Sequence, residues 1–362
     1  MSVEARTLEA MRRAIALSVQ AHPHPNPRVG AVILDAHGNI IAEGFHARPG
    51  EPHAERAALA ALGSPPPPGS TMVVTLEPCA HHGRTPPCTE AILESRIERV
   101  VVGAVDPDPR NRGVGIEILR DSGVEVVTGV AAADVEAADP AYFHHRRTGR
   151  PLVTLKTAMT LDGQTAAKDG TSQWITTEDA RLDSHSLRAD QDAVLVGAGT
   201  LRSDDPALTV RLPGYDGPQP TAVVLAGDSP LPADARLWSR PDTIVVSARP
   251  HDLPIQVVEV APGDDGLPHP NAVLEALGER GLLGVLVEGG AVIAETFWRH
   301  GLVDRGVTYI GAKVAGGVGR GVMTGEWRTF SDARPVEITG VRRLGTDLRI
   351  DWRPVRESDS DD

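Results

Sequence analysis

Cysteine is almost absent from the 362-residue chain, which contains only Cys79 and Cys88. Two cysteines exclude the disulfide framework of small secreted proteins, and free thiols suit a reducing compartment. The first residues, 1–13, are charged and helix-like, so they lack the pattern of a signal peptide. We therefore expect a cytoplasmic protein.

Basic charge, aromatic residues and long apolar runs are also scarce. The formal net charge is -13 and aromatic residues make up 3% of the chain, whereas nucleic-acid binding needs clustered lysine and arginine. No apolar run reaches the roughly 18 residues that a membrane helix requires. These absences predict a small-molecule substrate, and neither nucleic acid nor membrane as a partner.

The length and the apolar pattern indicate two α/β domains. A prior of roughly 100–200 residues per domain suggests two for this chain, and apolar runs alternate with helix-like segments in both halves. The polar, basic stretch from Asp139 to Pro151 is the expected boundary. We predict domains at 1–146 and 147–355, followed by a disordered acidic tail at 356–362.

Short apolar runs and turn residues give a coarse map of the elements. Strands are predicted at 31–34, 40–44, 71–76, 99–105, 193–196, 222–225, 243–246 and 284–287. Helices are predicted around 8–15 and at 54–62, 89–95, 178–189, 271–280 and 291–298. Polar motifs follow several of these strands.

The strongest chemical signal is one histidine and two cysteines, His53, Cys79 and Cys88, near predicted strand and helix ends. A catalytic zinc keeps three protein ligands and leaves its fourth position to water, whose pKa falls to about 7. Glu55 lies two residues after His53 and is the natural proton shuttle. The order H-x-E followed by P-C is the signature of zinc-dependent base deaminases.

Two other interpretations of these residues remain open. A structural zinc site could be closed by His81 or His82, because structural sites usually have four protein ligands. The second interpretation is a disulfide between Cys79 and Cys88. Neither explains an acidic residue beside His53.

The spacing of the cysteines points to a particular family. Eight residues, 80–87, separate them here, whereas the simple deaminase signature has two. The segment 75–88 reads T-L-E-P-C-A-H-H-G-R-T-P-P-C, which resembles the motif T-L-E-P-C-x-H-x-G-x-T-P-P-C of the riboflavin-pathway deaminases. The resemblance implies a cytidine-deaminase-like three-layer α/β/α domain.

The same resemblance implies substrate contacts in this domain. The loop 22–30, with His22 or His24 at the histidine position, resembles the family's H-P-N-P-x-V-G loop, which lines the pyrimidine pocket. Its Asn26 can both donate to and accept from a base edge. His46 and Arg84 match other substrate-facing positions, and Arg84 suits a phosphate. An ordinary exposed turn residue is the alternative for His46.

In the second half, motifs alone indicate little. The segment 197–200 follows a strand but lacks the third glycine of a dinucleotide-binding G-x-G-x-x-G. The pair Gly289-Gly290, between a predicted strand and a helix, could present free N–H groups to a pyrophosphate. The same pair could merely permit a tight turn.

Four segments of this half resemble the reductase domain of the bifunctional riboflavin-biosynthesis family. They are Lys156–Gly163, Ser172–Thr176, Leu187–Ala189 and Asp204–Arg211. Together with the deaminase motifs they span nearly the whole chain in the family's order. The resemblance implies a dihydrofolate-reductase-like α/β domain that uses NADPH.

The family's contact positions carry over residue by residue. Cofactor contacts are implied at Ala158, Trp174, Thr200, Asp204, Gly290, Ala291, Val292, Ile293, Ala294, Glu295 and Thr296. Substrate contacts are implied at Ser172, Arg188, Leu208, Arg211 and Glu288. Of these, Arg188 and Arg211 could clamp a phosphate. Lys156 and Asp162 are either polar positioners or a structural ion pair.

Two positions depart from the family pattern. Thr160 stands where a serine commonly precedes Leu-Asp-Gly, and Ala226-Gly227 stands where many members have Asp-Ser. The second departure removes a possible hydroxyl contact to the cofactor. It bears on the affinity for the cofactor and leaves the reaction type unchanged.

The resemblance implies a bifunctional enzyme with Zn2+ and NADPH as cofactors. The first domain would deaminate 2,5-diamino-6-(5-phosphoribosylamino)pyrimidin-4(3H)-one, and the second would reduce the ribosyl group to ribityl. A homo-oligomer, dimer or tetramer, is expected. The alternatives are a nucleoside or tRNA deaminase with an unrelated C-terminal domain, and a zinc-stabilised binding module without catalysis.

Overall fold

The structure is a computed structural model that describes residues 3–82, 86–317, 319–325 and 329–355. The chain divides into two compact units between Gly149 and Arg150. The predicted tail at 356–362 lies outside the described residues. Among the helices of the described ranges, none is long and apolar enough to span a bilayer.

Strands and helices alternate in the first unit, as the apolar pattern predicts. The elements are α1 (Val3–Ser18), β1 (Gly30–Leu34), β2 (Ile40–Phe45), α2 (Ala54–Leu62), β3 (Thr71–Leu76), α3 (Cys88–Ser95), β4 (Arg99–Ala104), α4 (Val114–Asp121), β5 (Glu125–Thr128), α5 (Ala132–Ala138) and α6 (Pro140–Thr148). The basic stretch at the predicted boundary is thus largely helix α6.

These elements form three layers around one sheet with the strand order β2-β1-β3-β4-β5. β1 pairs antiparallel with β2 and β3, whereas β3, β4 and β5 run parallel. Helices α1 and α5 pack on one face, and α2, α3 and α4 adjoin one another on the other. Because helices cover both faces, the central strands are continuous apolar runs, and all of β1 is buried.

Gly44 lets helix α2 lie directly on β2. A Cβ atom at this position would be 2.3 Å from the backbone nitrogen of Ala58 and 2.6 Å from the carbonyl oxygen of Ala54. Only glycine permits so close an approach of helix and strand. The contact fixes the first turn of α2, where the His-x-Glu motif lies.

The second unit is a larger α/β layer. Its strands are β6 (Leu152–Thr160), β7 (Gln164–Ala166), β8 (Ala193–Gly197), β9 (Thr221–Leu225), β10 (Thr243–Ser247), β11 (Gln256–Glu259), β12 (Gly284–Val287), β13 (Arg305–Gly311), β14 (Arg320–Gly321), β15 (Val336–Leu344) and β16 (Asp347–Pro354). Its helices are α7 (Glu178–Ala189), α8 (Ala198–Asp204), α9 (Pro270–Gly278) and α10 (Ala291–Arg299).

Nine of these strands form one sheet, in the order β11-β10-β9-β8-β12-β6-β13-β16-β15. The pairs from β11 through β13 are parallel, and β16 and β15 close the far edge antiparallel. Successive residues of β8 enter different apolar clusters: Leu195 belongs to one and Val196 to the other, because strand side chains alternate between faces. Ligands of parallel sheets bind at the carboxyl ends of the strands.

Candidate active sites

In the first unit, the three predicted metal ligands converge. His53 precedes α2, Cys79 follows β3 and Cys88 is the first residue of α3. His53 Nδ1 is 3.4 Å from the Sγ atom of Cys79 and 3.4 Å from that of Cys88. All three ligand atoms lie within 4.8 Å of one another.

This spacing fits a single zinc ion. Zinc–sulfur bonds of about 2.3 Å and zinc–nitrogen bonds of about 2.0 Å at a tetrahedral angle need sulfur-to-nitrogen separations of about 3.5 Å. His53, Cys79 and Cys88 would hold the ion. In the described part of the chain they are the only cluster of histidine, cysteine and acidic side chains with this spacing.

The surroundings of Cys79 favour a thiolate, whereas the hydrogen bond to Cys79 and burial raise the pKa of Cys88. The Cys88 side chain and backbone N–H and the His53 ring contact Cys79 Sγ, and together they lower the pKa of Cys79 to about 4. The N-termini of α2 and α3 point at the ligands, and their positive ends stabilise negative charge. A deprotonated sulfur is the form that binds metal.

Glu55 lies beside the ligands and out of solvent. Only 3% of the residue is exposed, and burial together with the charge of Cys79 raises the pKa of Glu55 to about 7. A carboxyl group that gains and loses a proton near neutral pH suits general acid–base chemistry. Its position two residues into α2 is the geometry that the H-x-E motif predicts.

The alternative of a four-ligand structural site gains no support. The His82 side chain is 71% exposed and lies 3.4 Å from Glu90, and neither His81 nor His82 joins the ligand cluster among the described residues. Both cysteines are free thiols, so the disulfide alternative is wrong. Arg84, the predicted phosphate contact, lies outside the described residues.

Asn26 and His46 form a pair at the side of the metal cluster. His46 Nδ1 is 3.1 Å from the Pro52 carbonyl oxygen, so this nitrogen carries the proton. His46 Nε2, 3.0 Å from Asn26 Nδ2, then accepts from the amide. Because the nitrogen of Asn26 is engaged, its Oδ1 is the atom left to accept from a ligand. His46 is 3% exposed, which excludes the alternative of an exposed turn residue.

Glu77 is a site residue that the sequence reasoning missed. Its carboxylate accepts from the backbone nitrogens of Asp106, Gly113, Gly115 and Ile116, at 2.9 to 3.4 Å. These bonds fasten the segment that carries Pro78 and Cys79 to the start of α4. A lone acidic residue at the end of an apolar strand, within the matched motif, was the available signal.

In the second unit, three predicted polar residues meet at the end of β12. Arg188 Nε and Nη2 donate to the two carboxylate oxygens of Glu288, at 2.6 and 2.9 Å, and Lys156 Nζ is 3.8 Å away. Burial opposes the charged form of Glu288, but the two cations outweigh it and lower its pKa to about 2. Lys156 therefore belongs to a buried charge cluster.

Of the two arginines expected to clamp a phosphate, Arg188 and Arg211, the first has protein partners in the structure. The Nε and Nη2 edge of Arg188 holds Glu288, and its Nη1 donates to the Thr209 carbonyl oxygen at 2.9 Å. These contacts engage Nε, Nη1 and Nη2 of Arg188. Arg211 is exposed, and burial and the charge of Arg188 lower its pKa. Within the described ranges, no hydrogen bond or ion pair holds its guanidinium.

The glycine pair after β12 lies at the N-terminus of α10. A Cβ atom at Gly289 would be 2.5 Å from the Ile293 side chain, and one at Gly290 would be 3.8 Å from Thr200 Oγ1. The N-terminus of α10 therefore lies close to Thr200 of α8, and a helix N-terminus can bind a pyrophosphate. The side chain of Ala294 is buried in the core, so only its backbone could contact a cofactor.

A cavity of about 300 Å³ lies between the turn and strand at 160–168, the segment 171–175 and residues 313–316, and Ser172 and Trp174 line it. The Trp174 indole is 59% exposed. The Arg181 guanidinium stacks on its ring, 4.3 Å from the centroid. An aromatic face presented in this way suits a flat ligand ring.

The remaining predicted residues of this unit do not all face one space. Ala158 is partly buried on β6, and Asp204 is exposed at the end of α8. Leu208 is 2% exposed and packs in a core cluster, so its side chain is committed to the core.

Thr160 and Asp162 hold a turn. The Thr160 hydroxyl donates to Asp162 Oδ1 at 2.6 Å and accepts from Gln164 N at 3.0 Å. Asp162 also accepts from the backbone nitrogens of Ala315 and Gly316. A serine hydroxyl would make the same bonds, which explains why threonine is tolerated here.

Comparison with known families matches both units. The family described as cytidine and deoxycytidylate deaminase zinc-binding region matches residues 5–104, and the RibD C-terminal domain matches residues 151–350. The second match removes the alternative of an unrelated C-terminal domain.

Curated relatives and solved structures match over nearly the whole chain. The riboflavin biosynthesis protein RibD of Chlamydia muridarum is 38% identical, and the match covers 96% of this chain and 97% of the relative. The RibD protein of Mycobacterium tuberculosis (strain H37Rv) is 39% identical, and the match covers 94% of this chain and 96% of the relative. A structure of Acinetobacter baumannii RibD has a TM-score of 0.90 at 32% identity, covering 98% of this chain and 100% of its own. A Thermotoga maritima deaminase/reductase has a TM-score of 0.88 at 36% identity, covering 97% and 99%. The predicted fold class, with a cytidine-deaminase-like and a dihydrofolate-reductase-like part, is confirmed.

Proposed function

This chain belongs to the RibD family of riboflavin biosynthesis proteins, and from this membership we propose how its residues divide the two reactions. The chain is a bifunctional enzyme with a zinc-binding deaminase part and a reductase part that uses NADPH. We assign the deaminase to residues 1–146 and the reductase to 147–355. The Thermotoga relative is named a diaminohydroxyphosphoribosylaminopyrimidine deaminase and 5-amino-6-(5-phosphoribosylamino)uracil reductase, and we propose the same substrates here.

In the deaminase, Glu55 is the proposed proton carrier. A bound zinc ion would lower the pKa of water to about 7 and so supply a nucleophile at neutral pH. A Glu55 carboxylate oxygen accepts a proton and delivers it to the amino nitrogen that departs as ammonia. Asn26 Oδ1 accepts from an N–H of the pyrimidine, and its fixed amide orientation supports that role.

In the reductase, we propose that the N-terminus of α10 would hold the pyrophosphate of NADPH and that Ala158 and Trp174 would contact its nicotinamide. The cofactor supplies hydride, and the protein has mainly to orient the sugar carbon against it. Ser172 and Glu288 would contact the phosphoribosyl group, with Lys156 beside Glu288. The proposed contacts of Leu208 and Ala294 would be through their backbone atoms.

The observation that carries the proposal is the convergence of His53, Cys79 and Cys88 on one point beside buried Glu55, in a chain with both halves of the family. A coupled assay tests it. The purified enzyme is given the diaminopyrimidine phosphate and NADPH, and ammonia and NADPH are followed together. We expect one NADPH to be oxidised per ammonia released. Ammonia release without NADPH oxidation would support only the deaminase assignment. The absence of both ammonia release and NADPH oxidation would overturn both assignments.

We propose that Arg211 is the main phosphate contact of the reductase, because Arg188 is already paired. Charge-assisted hydrogen bonds contribute about 1.5–3 kcal/mol each, so Arg211→Gln should raise the reductase KM about 10–100-fold. The change should be small for a substrate analogue that lacks the phosphate. Arg202→Gln, at an exposed arginine of α8, is the matched control. An unchanged KM in Arg211→Gln would contradict the assignment.

We further propose that the enzyme acts in the cytoplasm as a homo-oligomer, a dimer or tetramer, and does not bind nucleic acid. The formal net charge of -13 supports the last point, since it opposes binding to phosphate backbones.

A further inference from the structure

Helix α6, at the end of the first unit, is hydrogen-bonded to the loop that carries Asn26. The Asp139 carboxylate, 4% exposed, accepts from the backbone nitrogen of Arg28 at 2.8 Å and lies 3.2 Å from His24 Nε2. The same carboxylate caps α6 by accepting from Tyr142 N at 3.4 Å. One buried acidic side chain therefore joins the start of α6 to both ends of the loop 24–28.

A second contact from α6 reaches the middle of this loop. Arg146 Nη2 donates to the Pro25 carbonyl oxygen at 3.2 Å. Asn26 is the next residue, and its own backbone nitrogen donates to the Pro23 carbonyl oxygen at 3.0 Å. The loop is therefore held on both sides of the side chain proposed to contact the pyrimidine.

The same helix is also linked to the metal ligands. The Tyr142 hydroxyl donates to Asp106 Oδ1 at 2.9 Å, and Asn111 Nδ2 donates to Asp106 Oδ2 at 3.0 Å. Asn111 Oδ1 in turn accepts from the backbone nitrogen of Ala80 at 3.1 Å. Because Ala80 follows Cys79 directly, this chain of bonds runs from α6 to a metal ligand.

These polar groups are buried, so they have few other partners. Tyr142, Asp106, Asn111 and Asp139 are each between 2% and 6% exposed. A buried polar group that loses its hydrogen bond remains unpaired at a cost, and a fully paired network fixes one arrangement of its members.

We propose that Asp139 and Tyr142 are positioning residues of the deaminase. Asp139 holds the Asn26 loop, Tyr142 holds the Cys79 segment, and α6 sets the distance between them. The proposal rests on the deaminase function proposed above for Asn26 and the metal ligands. It makes the basic helix at the junction of the two units a part of the deaminase centre.

The test compares single substitutions in the full-length, zinc-loaded enzyme. In Asp139→Ala the KM of ammonia release should rise about 10–100-fold, the range that a misplaced contact produces, with zinc content and the reductase rate unchanged. Asp139→Asn keeps an oxygen that accepts from Arg28 N but loses the acceptor for Tyr142 N, so it should recover only part of the loss. If Asp139→Ala is insoluble, Arg146→Met carries the same KM prediction, because it removes the bond to Pro25.

Tyr142→Phe removes only a hydroxyl and has a different expected result. Zinc should be lost to a chelator faster than from the wild type, by up to about tenfold, the lower end of the range for groups that bond a metal ligand directly, because Tyr142 reaches Cys79 only through Asp106, Asn111 and Ala80. The KM should be nearly unchanged. This readout needs no substrate, so it tests the proposal even if the wild-type enzyme fails to deaminate the diaminopyrimidine.

Glu136→Gln is the matched control, because Glu136 pairs with Arg147 of α6 on the exposed side and contacts neither loop. It should match the wild type in all three readouts. The proposal is overturned if Glu136→Gln has the same effects. It is also overturned if Asp139→Ala leaves the KM unchanged, or if Tyr142→Phe loses zinc at the wild-type rate.

Discussion

Replacing Glu55 by glutamine should lower the rate of ammonia release by about 10²–10⁴-fold, the usual contribution of a general acid–base group. Glutamine has nearly the same shape but cannot carry the proton between the nucleophile and the departing nitrogen. His53, Cys79 and Cys88 are untouched, so zinc content should remain at one ion per chain. The reductase should oxidise NADPH at the wild-type rate when given the deaminated pyrimidine.

A matched substitution on the neighbouring helix separates chemistry from packing. Glu90 lies in the first turn of α3, and its side chain is 47% exposed. Glu90→Gln should leave ammonia release, zinc content and NADPH oxidation unchanged. If Glu55→Gln retained most of its ammonia release, the role assigned to Glu55 would be wrong.

The sequence predicts this half of the molecule well because its signals are local. The run at 71–76 is apolar and β-branched, and it forms the buried strand β3. The motif residues follow such runs directly, so strand ends deliver them to one edge of the sheet. His53 and Glu55 are two residues apart, so the first turn of one helix brings both of them to the site.

Contacts between distant residues are what the sequence could not supply. The Asp139 carboxylate accepts from the backbone nitrogen of Arg28, which is 111 positions away in the sequence. The residues that follow Asp139 in the sequence are polar and basic, which is typical of a linker. The buried residues Ala141, Tyr142 and Phe143 supply the apolar signal within that stretch. Tertiary packing therefore decides that α6 forms.

The same limit explains why the sequence did not predict the acidic partner of Arg188. An arginine that matches a phosphate-binding position predicts an open guanidinium. The structure instead gives it an acidic partner 100 positions away. Leu208 is similar: its position matches a substrate contact, but its side chain lies in a core cluster. A motif identifies the position in the fold, whereas side-chain direction depends on the local backbone.

Replacing Glu288 by glutamine should destabilise the second unit by about 3–5 kcal/mol at pH 7, because one buried ionic partner is removed and the other remains. The Glu288 side chain is 8% exposed and Arg188 is 12% exposed, so solvent cannot take over the lost pairing. All five tryptophans of the chain follow Arg150 in the sequence. Tryptophan fluorescence during denaturant unfolding therefore reports on this unit.

The loss should depend on pH in a defined direction. Arg188 and Lys156 hold the pKa of Glu288 at about 2, below the value of about 4.3 in an unfolded chain. The stability that the charge contributes is therefore complete above pH 4.3 and disappears as the pH falls through 2. The difference between wild type and Glu288→Gln should be constant from pH 7 to 5 and shrink below that.

An exposed ion pair in the same unit provides the control for both measurements. Glu337 pairs with Arg353 across β15 and β16, and both side chains are more than half exposed. Glu337→Gln should change the free energy of unfolding by less than about 1 kcal/mol, as expected for a solvent-exposed pair. If Glu288→Gln were as mild as this control, Glu288 would contribute little to the fold, and its pairing with Arg188 would exist to orient groups around the substrate.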